Sequence, residues 1–126
     1  TSSGNKRNGG VSTSYGSAVG YSNPIIMIAI DKDNGKIWWG VNGTWVASGD
    51  PANGSNEAYS NINTVVGSDG FVTFSDTTYR NGSWNFGNPI HSISSGNSDA
   101  NGYGNFEYAV PSGFYSLCTK NLADYG

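Results

Sequence analysis

Residues 31–43, DKDNGKIWWGVNG, decide the fold of this chain, because two Asn-Gly pairs stand on either side of a short apolar run. Asn-Gly accepts the positive φ angles of tight β-hairpins, so Asn34-Gly35 and Asn42-Gly43 each predict a chain reversal. Residues 25–30, IIMIAI, form a continuous apolar run of strand length, which predicts a strand covered on both faces. The stretch therefore predicts consecutive antiparallel strands.

The strand between the two turns carries adjacent tryptophans. Successive side chains of a strand point to opposite faces. We expect Ile37, Trp39 and Val41 to face the core, and Trp38 with Gly40 to face outward. Further short strands are predicted at residues 44–46, 62–66, 71–74, 83–86 and 114–118.

An all-β fold follows from this pattern, because no segment shows a helical period of useful length. Two packed antiparallel sheets or a closed barrel would bury the aromatic residues, and we expect a β-sandwich with Trp84 and Phe86 also in its core. Residues 1–21 are polar and fit a loop, a weak strand or a domain edge, with 1–13 as a lead-in.

The composition of the chain excludes several classes of protein. Its 126 residues suit one domain, and 12% charged with 13% aromatic residues fits disorder badly. The formal charge of −3 disfavours a nucleic-acid partner. Residues 25–30 are too short for membrane insertion, and residues 1–10 lack a secretory pattern. Cys118 is the only cysteine, so no internal disulfide forms, and we expect it to be a small buried apolar residue.

Candidate catalytic and metal-binding residues are few. His91, the sole histidine, has no nearby carboxylate in sequence and is interpreted as a loop residue. Glu57 and Glu107 form no glycosidase motif, although that activity stays a third alternative. Asp31 begins a calcium-like pattern that lacks the glutamate an EF-hand needs at its twelfth position, so we interpret it as a hairpin turn. We expect no enzyme activity, no metal and no cofactor.

Four segments, taken together and in this order, resemble a known family. They are residues 31–43, residues 44–56 with their Trp45 and Gly-Asp-Pro-Ala-Asn-Gly-Ser-Asn run, Asn-Phe-Gly-Asn-Pro at 85–89, and residues 106–122 with Pro-Ser-Gly-Phe and Leu-Cys-Thr-Lys-Asn-Leu. This order is similar to SPRY-like domains of phage and prophage virion and tail proteins. The resemblance covers residues 14–122.

The resemblance implies a concanavalin-like jelly-roll sandwich without catalytic machinery. Such domains usually begin with an aromatic strand pair that is not found before Ser14. We therefore expect one domain over residues 1–126 that lacks its first strands and forms the C-terminal part of a longer chain. The implied location is a virion or another extracellular surface.

Loops at one end of the fold are expected to bind a host-surface glycan or protein, through residues 47–59 and 92–104. Aromatic residues at outward or loop-adjacent positions are candidates, because they bury much area at little cost in entropy. The candidate ligand-binding residues are Trp38, Trp45, Asp50, Asn53, Asn56, Tyr59 and Tyr79. The alternative is a structural or decoration domain whose aromatics meet other virion subunits, as in a homotrimer.

Overall fold

The computed structural model of the chain describes residues 4–17, 20, 22–66, 70, 72–75 and 82–125. Internal contacts divide the chain into two compact units, unit 1 (Thr1–Gly70) and unit 2 (Phe71–Gly126). The expectation of one domain over residues 1–126 stays a prediction.

Unit 1 consists of short strands in two antiparallel sheets. The strands are β1 (Asn5–Asn8), β2 (Val11–Ser14), β3 (Ile26–Asp31), β4 (Lys36–Val41) and β5 (Thr44–Trp45), and a 3-10 turn follows at Val46–Ser48. One sheet has the order β1-β2 and the other the order β3-β4-β5. The prediction of a small β-rich fold is confirmed, while the sandwich remains an expectation.

Both predicted hairpin turns are present. Asn42 and Gly43 have φ angles of 47° and 85° and form a two-residue turn, with Val41 paired to Thr44. The β3–β4 turn is longer, because Asp31 pairs with Lys36.

The Asp31 carboxylate shapes the longer turn. It accepts hydrogen bonds from the Asn34 amide at 2.9 Å and from the Asn34 side chain at 2.7 Å. These bonds lower the pKa of Asp31, first through the Asn34 amide. The residues of the calcium-like pattern therefore form a hairpin turn, in agreement with the interpretation from sequence.

The expected orientation of Trp38 is wrong. Trp38 is 0% exposed and is the largest fully buried side chain among the described residues, whereas Trp39 is half-buried. The reason is that the segment after β5 returns across the Trp38 face, where a Cβ atom at Gly49 would lie 3.1 Å from the Trp38 ring. Gly40, on the same face, leaves room for the Met27 methyl group.

β3 is not covered on both faces. It is an edge strand, and Ile25 and Ile26 are 43% and 51% exposed. The long apolar run therefore does not mark a central strand here.

Residues 62–66 were expected to form a strand but form a short helix, α1 (Ile62–Val66). The side chain of Asn63 donates to the Lys32 carbonyl at 2.7 Å and accepts from the Lys32 ammonium at 2.8 Å. The Ile62 amide donates to the Gly35 carbonyl at 3.0 Å. Docking onto the β3–β4 turn thus outweighs the strand preference of the β-branched residues.

Unit 2 contains no strand among its described residues, and it ends in helix α2 (Thr119–Tyr125). The strands predicted at 83–86 and 114–118 are wrong, as is the described part of 71–74, whereas Phe71 lies outside the described residues. Gly87 has a φ of 121°, which ends the alternation of residues 83–86. The prediction that the chain has no helices is also wrong. The second helix, α2, begins directly after residues 114–118, where the apolar alternation ends.

Trp84 and Phe86 do not lie in a core, as had been expected, but are 43% and 39% exposed. Their rings are nearly parallel, with centroids 6.3 Å apart, and Phe74 packs on both at 5.3 and 5.5 Å. Because the described part of unit 2 has no sheet, the alternation has no buried face to point toward.

Candidate functional site

The structure brings several of the predicted binding residues together in the loop that follows β5. We call residues 50–56 the 50–56 loop. Asp50 and Ser55 form an antiparallel bridge at its base, with both amide-to-carbonyl distances at 3.0 Å. At its tip, the Gly54 amide donates to the Pro51 carbonyl at 3.1 Å.

Asp50 and Asn53 bind each other inside this loop. The Asp50 carboxylate accepts from the Asn53 side chain at 2.6 Å and from the Asn53 amide at 3.2 Å. These two bonds, the side-chain bond first, lower the pKa of Asp50. Asp50 therefore shapes the loop, while the Asn53 and Asn56 side chains are exposed.

Two side chains of β4 and the tyrosine that follows β2 hold the backbone of the loop. The Trp38 indole donates to the Ser55 carbonyl at 2.8 Å, and the Lys36 ammonium donates to the Gly54 carbonyl at 2.6 Å. The Tyr15 hydroxyl donates to the Asn56 carbonyl at 3.0 Å. Three consecutive carbonyl groups are thus fixed by three different side chains, which preorganises the loop.

Tyr59 packs in an aromatic cluster with Trp39 and Tyr15. Its ring meets the Trp39 ring edge to face at 5.9 Å, and Trp39 meets Tyr15 in the same way at 5.9 Å. The ammonium group of Lys6 lies 5.1 Å from the Tyr15 centroid and 4.7 Å from the Tyr59 centroid, and it donates to the Ala58 carbonyl. Cation–π attraction therefore joins Lys6 of β1 to the two tyrosines that pack against Trp39.

Burial affects both tyrosines of this cluster. Loss of solvent raises the pKa of Tyr59 and, with the charge of Glu57, that of Tyr15. The Tyr59 hydroxyl is buried and has no hydrogen-bond partner among the described residues. Tyr59 is therefore half-buried with an enclosed hydroxyl group, and its part in ligand binding stays a prediction.

The remaining predicted residues divide between the surface and the part that is not described. Trp45 is half-buried in β5, beside Gly40, whose Cβ position lies 3.1 Å from the Trp45 ring. Tyr79 lies outside the described residues. Among the predicted residues, Asn53 and Asn56 are exposed and Trp45 is half-buried, as are Asp50 and Tyr59, and ligand binding by any of them stays a prediction.

The anchoring residues Lys36 and Tyr15 were missed from the sequence. The one available signal for Lys36 is its place directly after the Asn34-Gly35 turn, which fixes it at the start of β4. Tyr15 follows β2 in a polar stretch whose pairing gave no alternating pattern. The sequence around Lys36 and Tyr15 does not reveal their contacts with the 50–56 loop, which lies about 20 and 40 residues further along the chain. Those contacts depend on the path of the folded chain.

In unit 2, residues 92–104 are organised around the buried carboxylate of Asp99, which is 6% exposed. One oxygen accepts from the amides of Asn101 and Tyr103 at 3.0 and 2.9 Å. The other accepts from the Ser116 amide and hydroxyl, both at 2.8 Å, and from the Asn121 side chain at 2.7 Å. This stretch was predicted to be a binding loop. The carboxylate of Asp99 at its centre accepts hydrogen bonds from within unit 2.

The balance of burial and hydrogen bonding sets the charge of Asp99. Burial raises its pKa, but the amides of Ser116 and Tyr103 and the side chains of Asn121 and Ser116 more than compensate, so the pKa lies well below its ordinary value of 3.8. Asp99 is therefore ionised at neutral pH.

Acidification is expected to weaken unit 2 through Asp99. Because its folded pKa is lowered, its contribution is fully present above the ordinary value of 3.8 and is lost as pH falls below it. We expect the protection factor of the Ser116 amide, which is the intrinsic amide exchange rate at each pH divided by the observed rate, to fall between about pH 4 and pH 2. The Asp99→Asn variant, which cannot ionise, is the control: its exchange should show no such step, and an identical step in both proteins would contradict the assignment.

Cys118 differs from its expected environment. It is half-exposed instead of fully buried, and its sulfur lies 3.4 Å from the Ser116 hydroxyl. The Ser116 contact, followed by the Asn121 amide, lowers the pKa of the thiol. Cys118 thus borders the Asp99 network and is not a simple apolar core residue.

The acidic residues considered for glycoside hydrolysis lie in different units, Glu57 in unit 1 and Glu107 in unit 2. Glu107 accepts hydrogen bonds from the hydroxyl and the amide of Ser94, which lower its pKa, the hydroxyl first. A general acid requires the opposite shift. His91 is exposed and belongs to no strand or helix, in agreement with its interpretation as a loop residue.

The described part of the chain offers neither a metal-binding cluster nor a membrane span. No three His, Cys, Asp or Glu side chains there are grouped in a way that would hold a metal ion. None of the helices there has the length and apolar character needed to cross a bilayer.

Comparisons of this chain with protein-family models, curated proteins and solved structures give no match. The resemblance to SPRY-like domains therefore stays a prediction that rests on the four sequence segments alone.

Proposed function

We propose that this chain is a non-catalytic recognition module, with the β-sandwich architecture implied by its resemblance to SPRY-like virion domains. In this proposal it binds a host-surface glycan or protein through the 50–56 loop. The observation that carries the proposal is that three side chains fix the loop backbone while Asn53 and Asn56 remain exposed.

A fixed polar loop suits recognition for an energetic reason. Ordering a flexible loop on binding costs about 0.5–1.5 kcal/mol for each immobilised rotamer-rich side chain, and a preorganised loop avoids much of this cost. The Asn53 and Asn56 side chains each donate one amide hydrogen within unit 1, to the Asp50 carboxylate and the Ser48 carbonyl, and each keeps a second N–H and an oxygen for a sugar hydroxyl or a peptide group. The half-buried Trp45 precedes the loop and adds an aromatic surface in unit 1.

The arrangement of carboxylates supports a binding role over a catalytic one. Asp50, Asp99 and Glu107 each have a lowered pKa and each are bound within their own loop. None of these three acids is thereby prepared to donate a proton at neutral pH. Recognition needs no such group.

A substitution at the loop tip tests the proposal. Ala52 is exposed, and replacing it with arginine places a large charged side chain at the tip without removing any of the hydrogen bonds that hold the loop. We expect Ala52→Arg to lower binding to host cells or to glycans retained on an array by at least about tenfold, which corresponds to roughly 1.4 kcal/mol. Val11→Arg, at a 65% exposed position of β2 whose register partner is the uncharged Asn8, is the matched control for added charge.

Two outcomes would contradict the proposed function. One is that neither host cells nor any arrayed glycan retains the wild-type protein. The other is equal binding by the Ala52→Arg and Val11→Arg variants, which would place the contact elsewhere. Thermal unfolding of both variants shows whether an altered fold accounts for a loss.

A further inference from the structure

The first strand of the three-stranded sheet presents an open edge. In the order β3-β4-β5, strand β3 pairs with β4 on one side, and no other described residue pairs with it. Its residues 26–30 are all apolar, and Ile26 is 51% exposed. Natural edge strands usually carry a lysine, a proline or a bulge that prevents further pairing, and none of these interrupts β3.

The register identifies which backbone groups face this open edge. The Asn42 amide donates to the Ile25 carbonyl at 2.9 Å, and the Ile25 amide donates to the Asn42 side-chain oxygen at 2.8 Å, so the backbone groups of Ile25 point toward Asn42. Hydrogen-bonded and non-hydrogen-bonded pairs alternate along antiparallel strands. The alternation makes Met27 and Ala29 hydrogen-bonded to β4, and it turns the backbone groups of Ile26, Ile28 and Ile30 away from β4.

An independent observation on β4 agrees with this assignment. Ile37 is the register partner of Ile30. Its amide donates to the Tyr59 carbonyl at 3.0 Å, and its carbonyl accepts from the Ala58 amide at 2.8 Å. Both backbone groups of Ile37 therefore point away from β3, as a non-hydrogen-bonded pair with Ile30 requires.

We propose that β3 pairs with β3 of a second copy of this chain, antiparallel about a twofold axis at Ile28. In this register Ile28 lies opposite Ile28 of the second copy, and Ile26 lies opposite Ile30. All three isoleucines then use their open backbone groups, giving about six hydrogen bonds between the copies. The two three-stranded sheets become one continuous sheet.

The distribution of charge fits a second copy as the occupant. Asp31 is the only charged residue of β3. In the proposed register it lies opposite Ile25 of the second copy, and the two Asp31 residues are roughly 20 Å apart at about 3.3 Å per residue. No like charges face each other, while the apolar side chains of Ile26, Ile28 and Ile30 meet their equivalents on the same face. A twofold interface of this kind is self-complementary.

Proline at the centre of β3 tests the pairing. Proline lacks a backbone donor and is tolerated in edge strands where its nitrogen faces outward. Ile28→Pro removes a donor that points to the open edge and no hydrogen bond to β4. We expect the wild-type chain to scatter light as a dimer of about twice 13.2 kDa, the Ile28→Val control to do the same, and Ile28→Pro to be monomeric.

Cysteine cross-linking tests the register even if proline disturbs the strand. In a Cys118→Ser background, Ile28→Cys places two cysteines opposite each other with Cα atoms about 5.5 Å apart, a distance that a disulfide spans. Ile26→Cys is the matched control, because its two copies would be roughly 13 Å apart in this register. We expect mild oxidation to give a covalent dimer of the Ile28→Cys variant alone.

A monomeric or trimeric wild-type chain would overturn the proposal, as would equal cross-linking of the two cysteine variants. The dimer and the proposed function are separately testable, since Ala52→Arg should leave the dimer intact and Ile28→Pro should leave the 50–56 loop intact.

Discussion

Replacing Trp38 with alanine is expected to destabilise unit 1 by about 3–5 kcal/mol, enough to unfold a marginally stable domain. The side chain is 0% exposed, so its removal leaves a cavity beneath the 50–56 loop. The substitution also deletes the indole donor that holds the Ser55 carbonyl at 2.8 Å. Urea denaturation monitored by hydrogen exchange of the β3–β4 segment measures the change in the free energy of unfolding.

Two variants separate packing from hydrogen bonding at this position. Trp38→Phe keeps much of the ring volume and loses the indole donor, so we expect a smaller loss of about 1–2 kcal/mol. Trp45→Ala, at the half-buried tryptophan of β5, should also cost less than Trp38→Ala. If Trp38→Ala lowered the free energy of unfolding by less than Trp45→Ala, the assignment of Trp38 to the core would be wrong.

Replacing Asp99 with alanine is expected to destabilise unit 2 by about 3 kcal/mol, because buried donors lose a charged acceptor. The carboxylate receives its hydrogen bonds from Asn101, Tyr103, Ser116 and Asn121. Ser116 and Asn121 are themselves only 5% and 8% exposed, so water cannot easily replace the lost partner. Denaturant unfolding with hydrogen exchange of residues 97–121 measures the effect.

Asp124 provides the control for this experiment. It pairs with Lys120 at 3.3 Å and accepts a hydrogen bond from the Tyr103 hydroxyl at 3.0 Å, and such exposed contacts contribute about 1 kcal/mol or less each. We expect Asp124→Ala to change the stability of unit 2 far less than Asp99→Ala. Equal effects of the two substitutions would show that the buried network does not stabilise the unit.

The part of the fold that was predictable from sequence is the part governed by local chemistry. Asn42-Gly43 requires two positive φ angles, and the chain adopts them at 47° and 85°. The hairpins, and with them the antiparallel order of β3, β4 and β5, follow from such turns. The orientation of the strand between them does not follow, because each face of β4 carries a large aromatic residue and the pattern alone cannot rank Trp38 against Trp39.

The errors occur where tertiary contacts outweigh local preference. Residues 62–66 have the composition of a strand, but Asn63 docks on Lys32 and the segment becomes helical. The candidate site shows the same limit. A loop at 50–56 was predictable from its Gly, Asn and Pro content, whereas its attachment to Lys36 and Tyr15 depends on the path of the folded chain.

The missing side chain at Gly40 also restricts how β3 and β4 can align. A slip of one residue would carry every side chain of one strand to the opposite surface of the sheet. The bulky Trp39 would then compete with the Met27 methyl group for the space that glycine leaves open. Steric crowding therefore destabilises misaligned hairpins. The central positions of the two strands carry no charge that could set the register instead.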